Sequence, residues 1–268
     1  RKRFWLQIKI TMITILSPSK TLNFENDAPI SYWSEPELAE FSGKLINELK
    51  KKSRKQISDL MNLSSQLADL NYQRYQEWEE SSSKDHSKQA IYAFKGDVFQ
   101  GMEPEKLDES EMDFAQEHIR ILSGLYGVLR PLDRIQPYRL EMGTKLKVNN
   151  AKNLYEFWSD RPTEFLNQNL KGSDHKYLVN LASKEYFKVI DTKKLNAEII
   201  TPEFKDFKNG KFKVIAFYAK KARGAMAAFI ARNRIDNPEY LKAFEWEGYS
   251  LNHHLTKDNN LVFSRGEQ

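Results

Sequence analysis

Tyr218-Ala219-Lys220-Lys221-Ala222-Arg223-Gly224 sets Lys220, Lys221 and Arg223 at the expected join of a strand and a helix. Cations near a helix N-terminus oppose the helix dipole, so this placement points to an anion as the compensating charge. A solvated charged rim is the alternative reading. A second stretch with binding chemistry is Leu122-Ser123-Gly124-Leu125-Tyr126-Gly127-Val128-Leu129-Arg130-Pro131, followed by Arg134 and Arg139. A glycine turn of this kind in a helix–hairpin–helix module offers backbone N–H groups to a phosphate whatever the base sequence. The usual module spaces its glycines by two, and here Gly124 and Gly127 are three apart. On the local pattern alone, a tight helix-to-strand turn with internally satisfied arginines is the stronger reading.

Other signatures fail on context. Gly96-Asp97-Val98-Phe99-Gln100-Gly101 is followed by Met102-Glu103 rather than the Lys-Ser/Thr of a phosphate loop. Ser17-x-x-Lys20 lacks the partner motifs of acyl-serine enzymes. His86, His118, His175, His253 and His254 form no chelating pair. No metal or cofactor is therefore expected. With no cysteine in the chain, disulfides, zinc–thiolate sites, iron–sulfur clusters and thiol nucleophiles are excluded.

The formal net charge of +5 falls to +1 when Arg1, Lys2, Arg3 and Lys9 are set aside. Residues 1–11 read as an upstream extension that is not native, with Met12 as the expected natural start. Between Lys184 and Arg223 there are 11 basic and 5 acidic residues, a balance of +6, so the rest of 12–268 carries −5. The basic character is thus concentrated in one segment, which matters more for a polyanion partner than the overall pI. No apolar run approaches the ~18 residues of a membrane helix, and without a clear secretion signal the expected location is the cytoplasm.

The elements that must position these residues follow from periodicity. Met12–Leu16 reads as a buried strand that ends at Pro18. Ser34 with Glu37, and Ser53 with Gln56, read as capping boxes, and a third helix runs through Leu67, Leu70 and Trp78. Ser110 with Asp113 opens a further helix, and 154–170 reads as one helix despite Pro162. Residues 197–207 and 211–218 form a hairpin around Asn209-Gly210, the pair favoured by a type I′ turn. A terminal hairpin is expected around Asp258-Asn259-Asn260. Helices dominate the first half and strands the second, which predicts an α+β (mixed α/β) fold: one compact domain over 12–268 with a mixed sheet and surrounding helices.

Several stretches together resemble the YaaA family of bacterial proteins linked to peroxide resistance. They are Leu16-Ser17-Pro18-Ser19-Lys20-Thr21-Leu22, Ala93-Phe94-Lys95-Gly96-Asp97-Val98-Phe99, 122–142, 180–188, 194–200 and 217–224. The resemblance spans essentially everything from Met12 onward. It implies a single-domain α/β architecture with a positively charged cleft, a helix–hairpin–helix-like element near 113–142, and binding of double-stranded or branched DNA with little sequence preference. It also implies a role in limiting iron-driven oxidative damage.

On this expectation the contacts to phosphates come from Lys20, Lys95, the amides of Gly124 and Gly127, Arg130, Arg139, Lys220, Lys221 and Arg223. Tyr126, Tyr138 or Tyr218 is expected to stack on exposed bases. No membrane and no obligate protein partner is expected. The alternative is a nucleic-acid-processing enzyme of lysine-dependent lyase or glycosylase type, with Lys20, Lys95 or Lys220 as nucleophile and Asp97 beside it.

Overall fold

A computed structural model describes residues 11–80, 86–173 and 175–266; residues 1–10, the bulk of the expected extension, lie outside them. The strands are β1 Met12–Leu16, β2 Lys88–Gln89, β3 Ile119–Ser123, β4 Gly127–Leu129, β5 Arg134–Ile135, β6 Tyr177–Asn180, β7 Glu198–Lys208, β8 Lys211–Lys213, β9 Ser250–Leu251 and β10 Asn260–Arg265. The helices are α1 Ala39–Lys50, α2 Arg54–Met61, α3 Ser65–Glu77, α4 Ala90–Ala93, α5 Asp97–Met102, α6 Glu109–His118, α7 Leu154–Trp158, α8 Arg161–Asn169, α9 Lys184–Phe187 and α10 Ala216–Arg232.

The expected mixed sheet is present. Its path is β4-β3-β1-β6-β7-β10-β9, with β8 hanging on β7. The pairs β3–β1, β1–β6, β6–β7 and β7–β10 are parallel, and β4, β8 and β9 pair antiparallel. Met12–Leu16 is buried along its whole length, as suits a strand covered on both faces. The chain leaves β1 for β3 on one side, and β6 then lies on the other. The gap between the ends of β1 and β6 is therefore a topological switch point, where open sheets of this kind hold ligands.

β7 extends the sheet beyond that gap. Residues 198–200 pair with β6, whereas Thr201–Asp206 pair with β10, so β7 to β10 project past the ends of β1 and β6 as a wing. The Asn209-Gly210 turn at its tip has φ of 55° and 76°, the left-handed pair that a type I′ hairpin requires.

Four local expectations need correction. Ser34 does not cap a helix, because its hydroxyl donates to Asp133 at 2.6 Å and α1 begins only at Ala39. The stretch 154–170 is two helices: Ser159 takes φ of 49°, and Pro162 sits in the first turn of α8, where its missing N–H costs nothing. The return strand after Gly210 stops at Lys213, so Tyr218 lies on α10. The expected helix–hairpin–helix is a strand–turn–strand, with Gly124–Tyr126 joining β3 to antiparallel β4.

Just before β3, α6 ends in His118, buried at 5% exposure, with its ring stacked 3.8 Å from that of Phe114. Burial lowers its pKa to about 4, opposed by a hydrogen bond with the Phe114 carbonyl. Between that value and the unfolded pKa of about 6.5, the unfolded chain binds the extra proton. Stability therefore falls as pH drops from about 6.5 to about 4, by about 3 kcal/mol from this group alone. Urea midpoints measured across that window will show the slope, and His118→Gln will flatten it.

Candidate nucleic-acid interface

The loop after β1 is tied to its neighbours by serines. Ser17 Oγ accepts the Ser183 N–H at 2.8 Å, which joins the ends of β1 and β6. Ser19 Oγ donates to the Lys95 carbonyl at 2.7 Å and accepts the Thr21 N–H at 3.1 Å, while the Lys95 N–H donates to the Thr21 carbonyl at 2.9 Å. Lys20 and Lys95, 75 positions apart, are thereby held on adjoining backbone. Gly96 makes this approach possible, since a Cβ there would lie 2.4 Å from Ser19 Oγ.

Three further segments reach the same edge. Lys20 Nζ lies 2.7 Å from Glu141 Oε2, and Arg139 lies 3.2 Å from Glu141 Oε1, so one carboxylate is shared by two cations. Asp97, in the first turn of α5, faces Lys220 Nζ at 3.7 Å. Glu185, after β6, accepts the Gly143 N–H at 2.9 Å. Lys95 is exposed and has no ion pair among the described residues. Arg139 Nε is buried without a hydrogen-bond partner, and its carbonyl accepts the Tyr75 hydroxyl. Lys20, Lys95, Arg139 and Lys220 thus gather from four chain segments around the switch point.

Lys221 follows on the same helical turn, with Nζ 4.7 Å from the Phe217 ring centroid. Arg223 lies deeper, and burial lowers its guanidinium pKa against the opposing charge of Glu203. None of the three cations stands at the helix terminus itself, because α10 starts at Ala216. The dipole repulsion expected there is correspondingly reduced.

Other expected contacts do not join the group. Gly124 and Gly127 are buried. The Leu125 and Tyr126 N–H groups both donate to Ser123 Oγ, at 3.2 and 3.0 Å, and the Gly124 carbonyl accepts Trp158 Nε1. A Cβ at Gly124 would lie 2.2 Å from the Leu140 carbonyl oxygen, and one at Gly127 2.8 Å from the Trp158 ring. These glycines serve packing and present no phosphate cradle.

Arg130 follows β4, one residue past the Leu129–Ile121 pair of β4 and β3. Its guanidinium is committed to Asp133 at 3.0 Å, Glu37 at 3.1 Å and the Glu35 carbonyl at 2.9 Å. Tyr126 and Tyr138 are buried; the Tyr126 hydroxyl accepts Trp78 Nε1, and that of Tyr138 bonds Ser123 Oγ at 2.7 Å. Neither ring is available for stacking.

The lysine–aspartate pairing of the enzymatic alternative occurs as Lys220–Asp97, yet the Lys220 side chain is 54% exposed and that of Lys20 61%. Burial is one of the ordinary ways to make a lysine nucleophilic, and neither side chain is buried. Among the described residues no cluster of three or more metal-ligating side chains occurs, and no helix is long and apolar enough to cross a membrane.

Two features here escaped sequence reasoning. Phe217 stands exposed beside the cations. Arg265 is held by Asp206 at 2.6 Å and lies against both the Tyr218 and Tyr249 rings, 4.4 and 4.5 Å from their centroids. Asp206 shares the buried face of β7 with Ile200, Pro202 and Phe204, and neither it nor Arg265 carried a local signal in the sequence. The family model described as peroxide stress protein YaaA matches residues 12–255. The chain therefore belongs to the peroxide stress protein YaaA family.

Proposed function

We propose that this protein serves in peroxide stress by binding DNA without sequence preference, along the edge formed by Lys20, Lys95, Arg139 and Lys220 and extended by Lys221 and Arg223. The observation that carries the reading is the convergence of four cations from distant segments on one strand-end edge, with Glu141 shared between two of them. Exposed cations spread along an open edge suit a repeating chain of phosphates, and such contacts carry no base information. Phosphates occupied by protein cations release their condensed counterions. Ferrous ions are among the cations so displaced, which moves the site of radical formation away from the DNA. This protection needs no thiol, and the chain has none.

Losing one phosphate contact removes about 0.9 of a released counterion, worth about eightfold in affinity at about 0.1 M salt. Lys20→Gln, Lys95→Gln and Lys220→Gln are each expected to weaken binding by about that factor, equally for duplexes of unrelated sequence, as read by fluorescence anisotropy. Arg130→Gln, which breaks the Asp133 and Glu37 pairs instead, is expected to lower stability and leave affinity unchanged. Unequal losses between sequences, or a loss confined to Arg130→Gln, would refute the reading.

A further inference from the structure

A cavity of about 370 Å³ opens beside Lys95, lined from the loop after β1, from α4 and from α5. It falls within the size range of small-molecule sites, and Lys95 is the one residue it shares with the cationic edge. Its wall is aromatic: Tyr92, Phe94 and Phe99 are each 5% exposed or less, and the Phe94 and Phe99 ring centroids lie 5.3 Å apart at 32°. Backbone contacts hold the opposite side in place. The Asn23 N–H donates to the Ala93 carbonyl at 2.8 Å, and Leu22 bridges to Phe94. Buried Lys88 donates its Nζ to the Asn23 carbonyl at 3.1 Å.

Three polar groups of the lining lack partners among the described residues. The Tyr92 hydroxyl makes no hydrogen bond, the Gln100 amide makes none, and Asn23 uses only its Oδ1, which accepts the Glu25 N–H at 3.1 Å. Burial raises the Tyr92 pKa, and the nearby Glu105 charge acts in the same direction, so the phenol stays protonated and is a donor. Beside Phe94 and Phe99 a third phenylalanine would pack as well, whereas a buried hydroxyl without a partner costs free energy. The hydroxyl therefore calls for an acceptor that enters the cavity.

Charge narrows the class of ligand. Lys106 is paired with Glu103 at 2.6 Å, and Glu105 acts on the buried charge of Lys88. Lys95 is exposed and has no ion pair among the described residues. One anionic group is thus balanced at Lys95, while Glu103 and Glu105 disfavour a second. A flat ring suits the aromatic wall, and ring heteroatoms or carbonyls supply the acceptor that Tyr92 lacks.

We infer that this cavity binds a planar heteroaromatic compound with one anionic group, its ring against Tyr92, Phe94 and Phe99, its polar edge accepting from Tyr92 and its anion on Lys95. Nucleoside 5′-monophosphates and pyridine carboxylates both carry this chemistry. The inference does not rest on the DNA-binding reading and is tested without DNA.

The test is calorimetric titration of the full chain with adenosine 5′-monophosphate and with nicotinate. Adenosine and nicotinamide serve as uncharged counterparts, and ribose 5-phosphate as an anion without an aromatic ring. The wild type is expected to bind at least one ring-bearing anion, about tenfold more tightly than its uncharged counterpart, and to bind ribose 5-phosphate weakly or not at all. Binding of one anion and not the other identifies the source and supports the site. Tyr92→Phe, which breaks no bond within the protein, is expected to weaken that binding about fivefold with an unchanged melting temperature. Lys95→Gln is expected to remove the advantage of the anion over its uncharged counterpart. Gln100→Trp, on the exposed rim, is expected to fill the space and abolish binding.

A wild type that binds neither ring-bearing anion at millimolar concentration would overturn the inference. Ribose 5-phosphate bound as tightly as adenosine 5′-monophosphate would reduce the site to a surface cation and overturn it too. A Tyr92→Phe or Gln100→Trp protein that binds like the wild type would place the ligand elsewhere, with the same consequence.

Discussion

Gly224→Ala is expected to destabilise the protein by about 3 kcal/mol or more, since overpacking against backbone leaves no side chain to yield. α5 and α10 cross at two glycines. A Cβ on Gly224 would lie 1.7 Å from the Val98 carbonyl oxygen, and one on Gly101 2.0 Å from that of Lys221. Backbone atoms at such distances move only if the helices separate. At about 2–4 °C per kcal/mol for a domain of this size class, the melting temperature should drop by about 6–12 °C.

Binding should suffer too, because separating the helices carries Lys220 away from Asp97 and the switch point. Gly43→Ala is the matched control. There the nearest atom is Glu80 Oε1 at 2.8 Å, the tip of a flexible side chain, and alanine is the better helix former. Its stability should change by less than about 1 kcal/mol. A Gly224→Ala protein as stable as the Gly43→Ala control would contradict the crossing.

The second large effect is expected when Lys20, Lys95 and Lys220 are replaced together by glutamine. Three lost contacts of about eightfold each give about 500-fold weaker DNA binding at about 0.1 M salt, if the sites add. Additivity is not guaranteed, because these residues share neighbours. Removing Lys20 leaves Glu141 to Arg139 alone, and removing Lys220 leaves Asp97 without its cation. Each unmasked carboxylate repels phosphate in the single variant as much as in the triple one, so this repulsion belongs to the single losses and leaves their sum unchanged. The variants keep the fold, since Lys20 and Lys220 are more than half exposed and Lys95 is exposed.

What could be read from sequence was what local chemistry determines. The Ser53–Gln56 capping box forms with both of its hydrogen bonds, and Asn209-Gly210 makes its turn, because the groups that satisfy each feature lie within a few residues. Ser34 carries the same capping signal, but Asp133, 99 positions on, takes its hydroxyl. Arg130 resembled a phosphate ligand, yet Asp133 stands three residues away, a pairing visible in the sequence itself. The family resemblance assigns the glycines at 124 and 127 to anion binding; Leu140 and Trp158, which in fact require them, arrive from elsewhere in the fold. Lys213 to Ala216 contains no glycine or proline to mark the strand's end, which is why Tyr218 was read as strand. Lys20 and Lys95 were named from the family resemblance, whereas their meeting through Ser19 belongs to the tertiary structure.

The central claim is that cations from separate segments act together on one polyanion, and its most direct test is the salt dependence of DNA affinity. With about four phosphates neutralised, log affinity against log salt should have a slope near −3.6, a loss of about 150-fold between about 0.05 and 0.2 M. The triple lysine variant should retain a slope near −1. A flat response in the wild type, or the same slope in both proteins, would contradict the account.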